Sequence, residues 1–397
     1  MEPVQPDDAS RVLYRREVLR LTDAEVSEKY PGYGGLDCNM DMSQKVMPHK
    51  VVLRSGWEPG DFFMMLEAFP RHDPLNPTAV LGLMRYGGSL AMMESEKFIS
   101  RENAVRIEDL SGNATYMGKE NYQGTKELPT GYDGMEVTVK KFSDHKLASH
   151  VILNVTNYMG YEAEHEREVF FIRNRFAVVR DLTTFSDNFK CRIGPVWNTQ
   201  HLDMHSNVSW LNTYFDRFYF QGANIYDNPR SDLLVYHLPK PDCRLGVEQR
   251  RELENAGLST RYAWEGEVSP GFRIQFSHIL LPHPPEISPD SLAEAIKVNR
   301  DELNLVLLKL QIRESQIEWI LLNPEGKEFA WPEPGSENTE SLTFSTDARA
   351  LYLDVQDGKL SRVFAIDTKF LSVNDKDLLK RDERIDFENY DNTNSIK

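Results

Sequence analysis

The chain has 397 residues, 40% hydrophobic, 27% charged and 11% aromatic, with a formal net charge of −16. That balance gives a globular protein with a real core and argues against a nucleic-acid partner, whose phosphates require clustered Lys and Arg. Three cysteines, Cys38, Cys191 and Cys243, lie far apart without a CxxC pair, which excludes a disulfide framework and a zinc ribbon.

In chain order, the first twenty residues, "MEPVQPDDASRVLYRREVLR", contain no apolar signal-peptide core. No run is long and apolar enough for a membrane span. The chain as it stands is therefore expected in the cytoplasm; as part of a longer precursor it would be periplasmic or secreted. "TDAEVSEKY" reads as a weak helix ended by a Pro-Gly turn. Short apolar or alternating runs then follow one another at strand-and-turn spacing: "KVVLRSG", "DFFMMLEAF", "AVLGLMRYGG", "NAVRIEDL", "MEVTVKKF" and "SHVILNVTNYMG". "HEREVFFI" and "RFAVVRD" pair as a tight hairpin turning at Arg173–Asn174 or Asn174–Arg175, because Asn tolerates the positive φ of such a turn. Further strand candidates are "RFYFQG", "DLLVYHL", "STRYAWEGEV", "FRIQFSHILLP", "NLVLLKLQI", "SQIEWILLN", "SLTFSTD", "RALYLDVQ" and "SRVFAIDTKFLSV". "SPDSLAEAIKVN" is the one convincing helix, and the charged segment from Asn374 onward reads as a frayed tail. Roughly eighteen strands with scarcely any helix make a large all-β, antiparallel two-sheet sandwich.

Three constellations could carry chemistry. "FPRHDPLN" sets His72 and Asp73 at the exit of an apolar strand, with Arg71, Asn76 and Arg85 near in sequence. Arg and Asn are donors suited to a substrate carboxylate, and His72 could ligate a metal or move a proton. The same stretch also reads as a plain polar loop, since Asp-Pro and Asn-Pro make turns. "WNTQHLDMHSNVSW" places His201, Asp203 and His205 on one face of a strand, a set that would suit a divalent metal such as zinc. Its alternative is an exposed polar strand face. His145, His150 and His165 fall on neighbouring strands, with His165 among Glu164, Glu166 and Arg167 as a charged strand end. Six tryptophans could include a sugar-stacking platform, although most belong in a core. A Gly-rich phosphate loop, a GxSxG elbow and HExxH are all absent, so nucleotide-dependent and serine-hydrolase chemistry have no support.

"VVLRSGWEPGDFFMMLEAFPRHDPLNPTAVLGLMRYGGSLAMM" resembles the opening of the C-terminal domain of the heparinase II/III-like family. "HEREVFFIRNRFAVVRDLTTF" is similar to that family's later hairpin, and "STDARALYLDV" to its closing strands. The resemblance implies a β-supersandwich spanning residues 41–375, preceded by an extension (1–40) and followed by a disordered tail (376–397). It also implies β-elimination on an acidic, uronate-containing polysaccharide, in concert with a helical toroid that residues 1–40 are too few to build, supplied by a missing N-terminal domain or a partner. His72 is the position that matches the family's loop histidine, with Arg71 and Asn76 beside it as catalytic candidates and Asp73 and Arg85 as substrate contacts. The chain departs from the pattern at Pro70, at Met92–Glu94 and at Glu102–Asn103, where the family commonly has His, Asp and His-Asn. Two alternatives stand beside the lyase: a non-catalytic carbohydrate-binding or scaffold sandwich, and a metal-dependent enzyme centred on His201, Asp203 and His205.

Overall fold

The structure is a computed structural model. It describes residues 50–58, 60–68, 78–85, 88–91, 95–96, 99–100, 103–112, 136–199, 201–203, 209–214, 231–249, 258–332 and 342–389. Alternating apolar residues dominate these segments, and they form antiparallel sheets in three layers. The middle layer is an eight-stranded sheet in the order His201–Asp203, Trp210–Tyr214, Asp232–His237, Arg273–His283, Phe176–Phe185, Ala163–Ile172, Ala148–Thr156 and Glu136–Asp144. One of its faces is covered by two four-stranded sheets. The N-terminal one runs Lys50–Arg54, Phe63–Glu67, Val80–Arg85 and Gly88–Ala91; the side sheet runs Cys243–Gln249, Leu258–Val268, Phe189–Thr199 and Val105–Asp109. The other face packs on a C-terminal sheet built from Ile296–Glu302 to Lys376–Asn389. The all-β expectation holds, with two layers on the middle sheet rather than one.

Both faces of the middle sheet are apolar over part of their area, so both need a partner layer. Phe170, Val178, Ile279 and Leu281 meet Ile320, Leu322, Tyr352 and Phe364 on the C-terminal side. Val169, Phe171, Val179 and Leu280 meet Leu53, Met64, Leu66 and Trp197 on the opposite side. A further cluster joins Val155, Phe185 and Phe276 to Val105, Ile107, Phe189 and Ile193 of the side sheet. The predicted hairpin is present: Ile172 pairs Phe176, and Asn174 has φ 55. Arg175 of that turn reaches the buried Glu318, which also accepts from the Tyr352 hydroxyl at 2.5 Å, and so ties the middle and C-terminal sheets.

Three expectations change. The helix covers only Pro289–Ala295. Ile296 and Val298 then pair with Leu310 and Leu308 as a strand, where β-branched side chains pack better than in a helix. Residues 376–389 are not a frayed tail but a strand, turned back at Asn374 and Asp375 with φ 49 and 60. Such a two-residue turn, with φ positive at both positions, matches the twist of a hairpin. Leu379 is buried, while the charges crowd this edge as edge strands require. Phe189–Thr199, absent from the expected strands, runs through Gly194-Pro195, a pair that reads as a turn. A Cβ on Gly194 would sit 2.0 Å from the Tyr262 carbonyl oxygen, so only glycine allows that approach. The expected helix at residues 22–30 and the strand at 217–222 lie outside the described residues.

Candidate functional site

The strands Ala163–Ile172 and Phe176–Phe185 carry charged residues at their centres. Strand alternation sends Arg167 and Asp181 to one face, and Glu168 and Arg180 to the other. On the face under the N-terminal and side sheets, Arg167 and Asp181 are directly opposed and bidentate: Nε donates to Oδ1 at 2.7 Å and Nη2 to Oδ2 at 2.9 Å. The remaining Nη1 donates to the carbonyls of Thr78 at 2.7 Å and Asn103 at 2.9 Å. His165 sits one pair along, with Nδ1 at 2.9 Å from Thr183 Oγ1 and Nε2 at 3.5 Å from Asp181. Its ring stacks on Tyr158 at 4.1 Å, and the Tyr158 hydroxyl donates to the Val105 carbonyl at 2.8 Å.

These groups are completely buried. Burial alone pushes the Asp181 carboxyl up, but Arg167 and His165 outweigh it and leave the carboxyl well below the usual carboxylate range. Burial pulls His165 down, and Asp181 only partly offsets this, so the ring is held neutral. Farther along the face, His237 and His278 are cross-strand partners with ring centroids 5.5 Å apart. Tyr262 stacks on His237 at 4.7 Å, and Trp197 meets His278 edge-on at 5.4 Å. Burial drives His278 down to about 3 and His237 well below its ordinary value. The cluster is thus a fixed cation–carboxylate pair flanked by neutral imidazoles. His165, expected at a charged strand end, lies inside it.

This cluster holds Thr78, the first described residue after the stretch 69–77. Ala68 and Thr78, the nearest described residues on either side of 70–77, are fully buried, and Thr78 gives its carbonyl to Arg167. His72, Arg71, Asp73 and Asn76 themselves lie outside the described residues, as does His205. Arg85 donates from Nε to the Gly60 carbonyl at 3.1 Å and from Nη1 to that of Pro282 at 3.5 Å, linking the Ser55–Phe62 turn to the middle sheet. His201 and Asp203 lie on the strand His201–Asp203 at the edge of that sheet, opposite Tyr214 and Asn212. Asn212 accepts from His283 at 2.9 Å. Among the described residues no three His, Cys, Asp or Glu side chains are grouped to hold a metal ion. Cys191 and Cys243 are buried free thiols, pushed by burial up to about 12 and about 11.

The sequence reading overlooked Asp181, His237 and His278, and placed Arg167 at a charged strand end. The available signal was Arg180-Asp181 set after the apolar run Phe176–Val179, where charge persists only when paired, opposite the Arg167-Glu168 pair of the neighbouring strand. Trp57 of the "RSGW" turn is 81% exposed with the Arg54 guanidinium 3.6 Å over its ring, while Trp197 and Trp319 are core.

Fold and cluster together define an all-β protein of stacked antiparallel sheets with a charged pair sealed beneath the N-terminal and side sheets. No protein-family model and no curated protein matches the chain. Solved structures similar to it include heparan sulfate lyase HepC from Pedobacter heparinus, 13% identical, covering 80% of this chain and 48% of that one, with a TM-score of 0.47. A heparinase III structure is 12% identical over 87% of this chain and 42% of that one, TM-score 0.41. A galactose mutarotase-like protein from Clostridium acetobutylicum is 8% identical over 59% of this chain and 95% of that one, TM-score 0.33. The chain spans about half the length of the lyase structures it matches.

Proposed function

We propose that this chain is the β-sandwich portion of a polysaccharide lyase of the heparinase II/III kind, acting on a uronate-containing polysaccharide by β-elimination together with a helical domain. The observation that carries the reading is the clamp at Thr78: Arg167, locked by Asp181, takes the carbonyl of the first described residue after the stretch 69–77, which bears His72 and Asp73 in the sequence. Residues that must be placed within tenths of an ångström need such a base. In the reaction a base takes the C5 proton, the C5 electrons form the C4–C5 double bond, and the C4–O bond breaks as the leaving oxygen gains a proton. His72 is the base candidate. Arg71 and Asn76 supply donors to the uronate carboxylate, whose charge otherwise opposes the carbanion. Arg85, bound to Gly60 and Pro282, is better suited to hold the strand that follows the loop. His201, Asp203 and His205 remain a proposed divalent-metal set on strand register alone, and no step of the elimination runs through a metal.

The test incubates the chain with heparan sulfate, hyaluronan and alginate, alone and with an added helical toroid domain, and follows the ultraviolet absorbance of the unsaturated uronate product. Product that falls at least about a hundredfold in His72→Ala supports the reading. Product unaffected by His72→Ala removes His72 from the site. Binding of these polymers without any product would favour the non-catalytic carbohydrate-binding or scaffold sandwich. The observation on its side is that His165, Arg167 and Asp181 are fully enclosed, a clamp rather than a catalytic surface.

A further inference from the structure

The opposite face of the same strands opens into a cleft of about 400 Å³ between the middle sheet and two turns of the C-terminal sheet. Its floor is a cross-strand row, Asn154–Glu166–Leu182, followed outward by Glu164 and Thr184, with Arg273 paired beyond Thr184. Its walls are Asn304, at the turn after Ile296–Glu302, and Pro324–Glu325, after Gln316–Leu322.

The cleft is preformed. Glu166 is held from below by the buried Arg180, which also donates to Glu168 at 2.6 Å, and from above by Lys140 at 3.0 Å. Gln275 accepts the Asn304 backbone N–H at 2.9 Å, and Asn304 Nδ2 donates to Glu325 at 2.7 Å. Arg273 reaches Asn304 Oδ1 at 3.4 Å. One floor group is left over: Asn154 is 7% exposed, lines the cleft, and its Oδ1 has no hydrogen-bond partner. A buried amide oxygen without a donor carries a desolvation cost that a ligand donor or water would relieve.

We propose that this cleft binds a neutral sugar unit, a mono- or disaccharide, through its hydroxyl groups. A hydroxyl both donates and accepts, and the lining offers both kinds of partner at close quarters: carboxylates from Glu164, Glu166 and Glu325, the Asn154 oxygen and the Thr184 hydroxyl, facing the Lys140 ammonium and the Arg273 guanidinium. An anionic sugar would meet three carboxylates, and a simple cation would meet Lys140 and Arg273. A neutral polyhydroxyl ligand meets neither conflict. Leu182 and Pro324 supply the apolar contacts for its C–H face. The volume is at the small end of the range for small-molecule sites. This site lies on the other side of the middle sheet from the Arg167–Asp181 pair, and it stands whether or not the lyase reading does.

The experiment titrates the full chain with glucose, galactose, mannose, lactose and maltose by saturation-transfer NMR, with glucuronate and calcium as charged counterparts. At least one neutral sugar is expected to bind with a millimolar dissociation constant. Its affinity should fall about tenfold in Asn154→Leu and measurably in Thr184→Val, a half-buried position at the cleft, with circular dichroism used to check that both variants fold. Silence from every neutral sugar overturns the proposal. So does equal binding by wild type and both variants, or binding by glucuronate or calcium while the neutral sugars stay silent.

Discussion

The two faces of the middle sheet, at the strands Ala148–Thr156, Ala163–Ile172 and Phe176–Phe185, carry nearly the same three residue types back to back. His165, Arg167 and Asp181 lie toward the N-terminal and side sheets; His150, Glu168 and Arg180 lie toward the C-terminal sheet. In both, an arginine bridges a carboxylate that a histidine also approaches. They differ in what takes the arginine's spare donors. Arg167 gives Nη1 to two backbone carbonyls, so the set is closed and fastens a loop. Arg180 gives Nη2 to Glu166, which in turn meets Lys140 at the cleft, so the set is open and orients a surface carboxylate. The same chemistry becomes a clamp or a support according to the layer packed over it.

Arg167→Met should be the most damaging change, because it strands Asp181 as a buried charge and removes the guanidinium donor from the Thr78 and Asn103 carbonyls. A loss of about 3–5 kcal/mol is expected by urea unfolding. Adding Asp181→Leu should restore part of it, since removing both charges relieves the desolvation. A loss under about 1 kcal/mol, within the range of an exposed pair, would mean that the closed set is no clamp. Arg180→Met should cost less, about 2–3 kcal/mol, because Glu168 retains His150 at 2.8 Å. Equal losses in the two arginine variants would erase the contrast between the faces.

Acid should act through the closed face. His165, His237 and His278 are held below their ordinary values by burial, so the unfolded chain binds more protons than the folded one, and stability falls as the pH drops below about 6.5. For His278, held at about 3, the loss between neutral pH and pH 5 is about 2 kcal/mol. His278→Leu should flatten that slope in unfolding curves taken across the range; an unchanged slope would place the acid sensitivity elsewhere. Lys140→Ala, at the mouth of the open set, should change stability by less than about 1 kcal/mol, as expected of a half-exposed ion pair.

Much of the frame was legible. Period-2 patterning located the hairpin around Asn174 and most strands of the middle and C-terminal sheets, because a half-buried strand must alternate. Phe189–Thr199 hid behind Gly194-Pro195, and Lys376–Asn389 behind its charge, since local composition does not reveal which neighbour covers a strand. The cluster at Arg167 and Asp181 was visible only as charge inside an apolar run, and the cleft not at all. Its lining comes from positions 140 to 325, brought together by five neighbouring strands of the middle sheet and two turns.

The sequence by itself determined the all-β class and the alternation along each strand. Local periodicity and turn chemistry are enough for that. The tertiary structure decided which arginine is sealed and which opens to a cleft, and that the Thr78 carbonyl is fastened to the middle sheet. Adjacent residues of a strand point to opposite faces, and only the layer stacked on each face sets whether water reaches them.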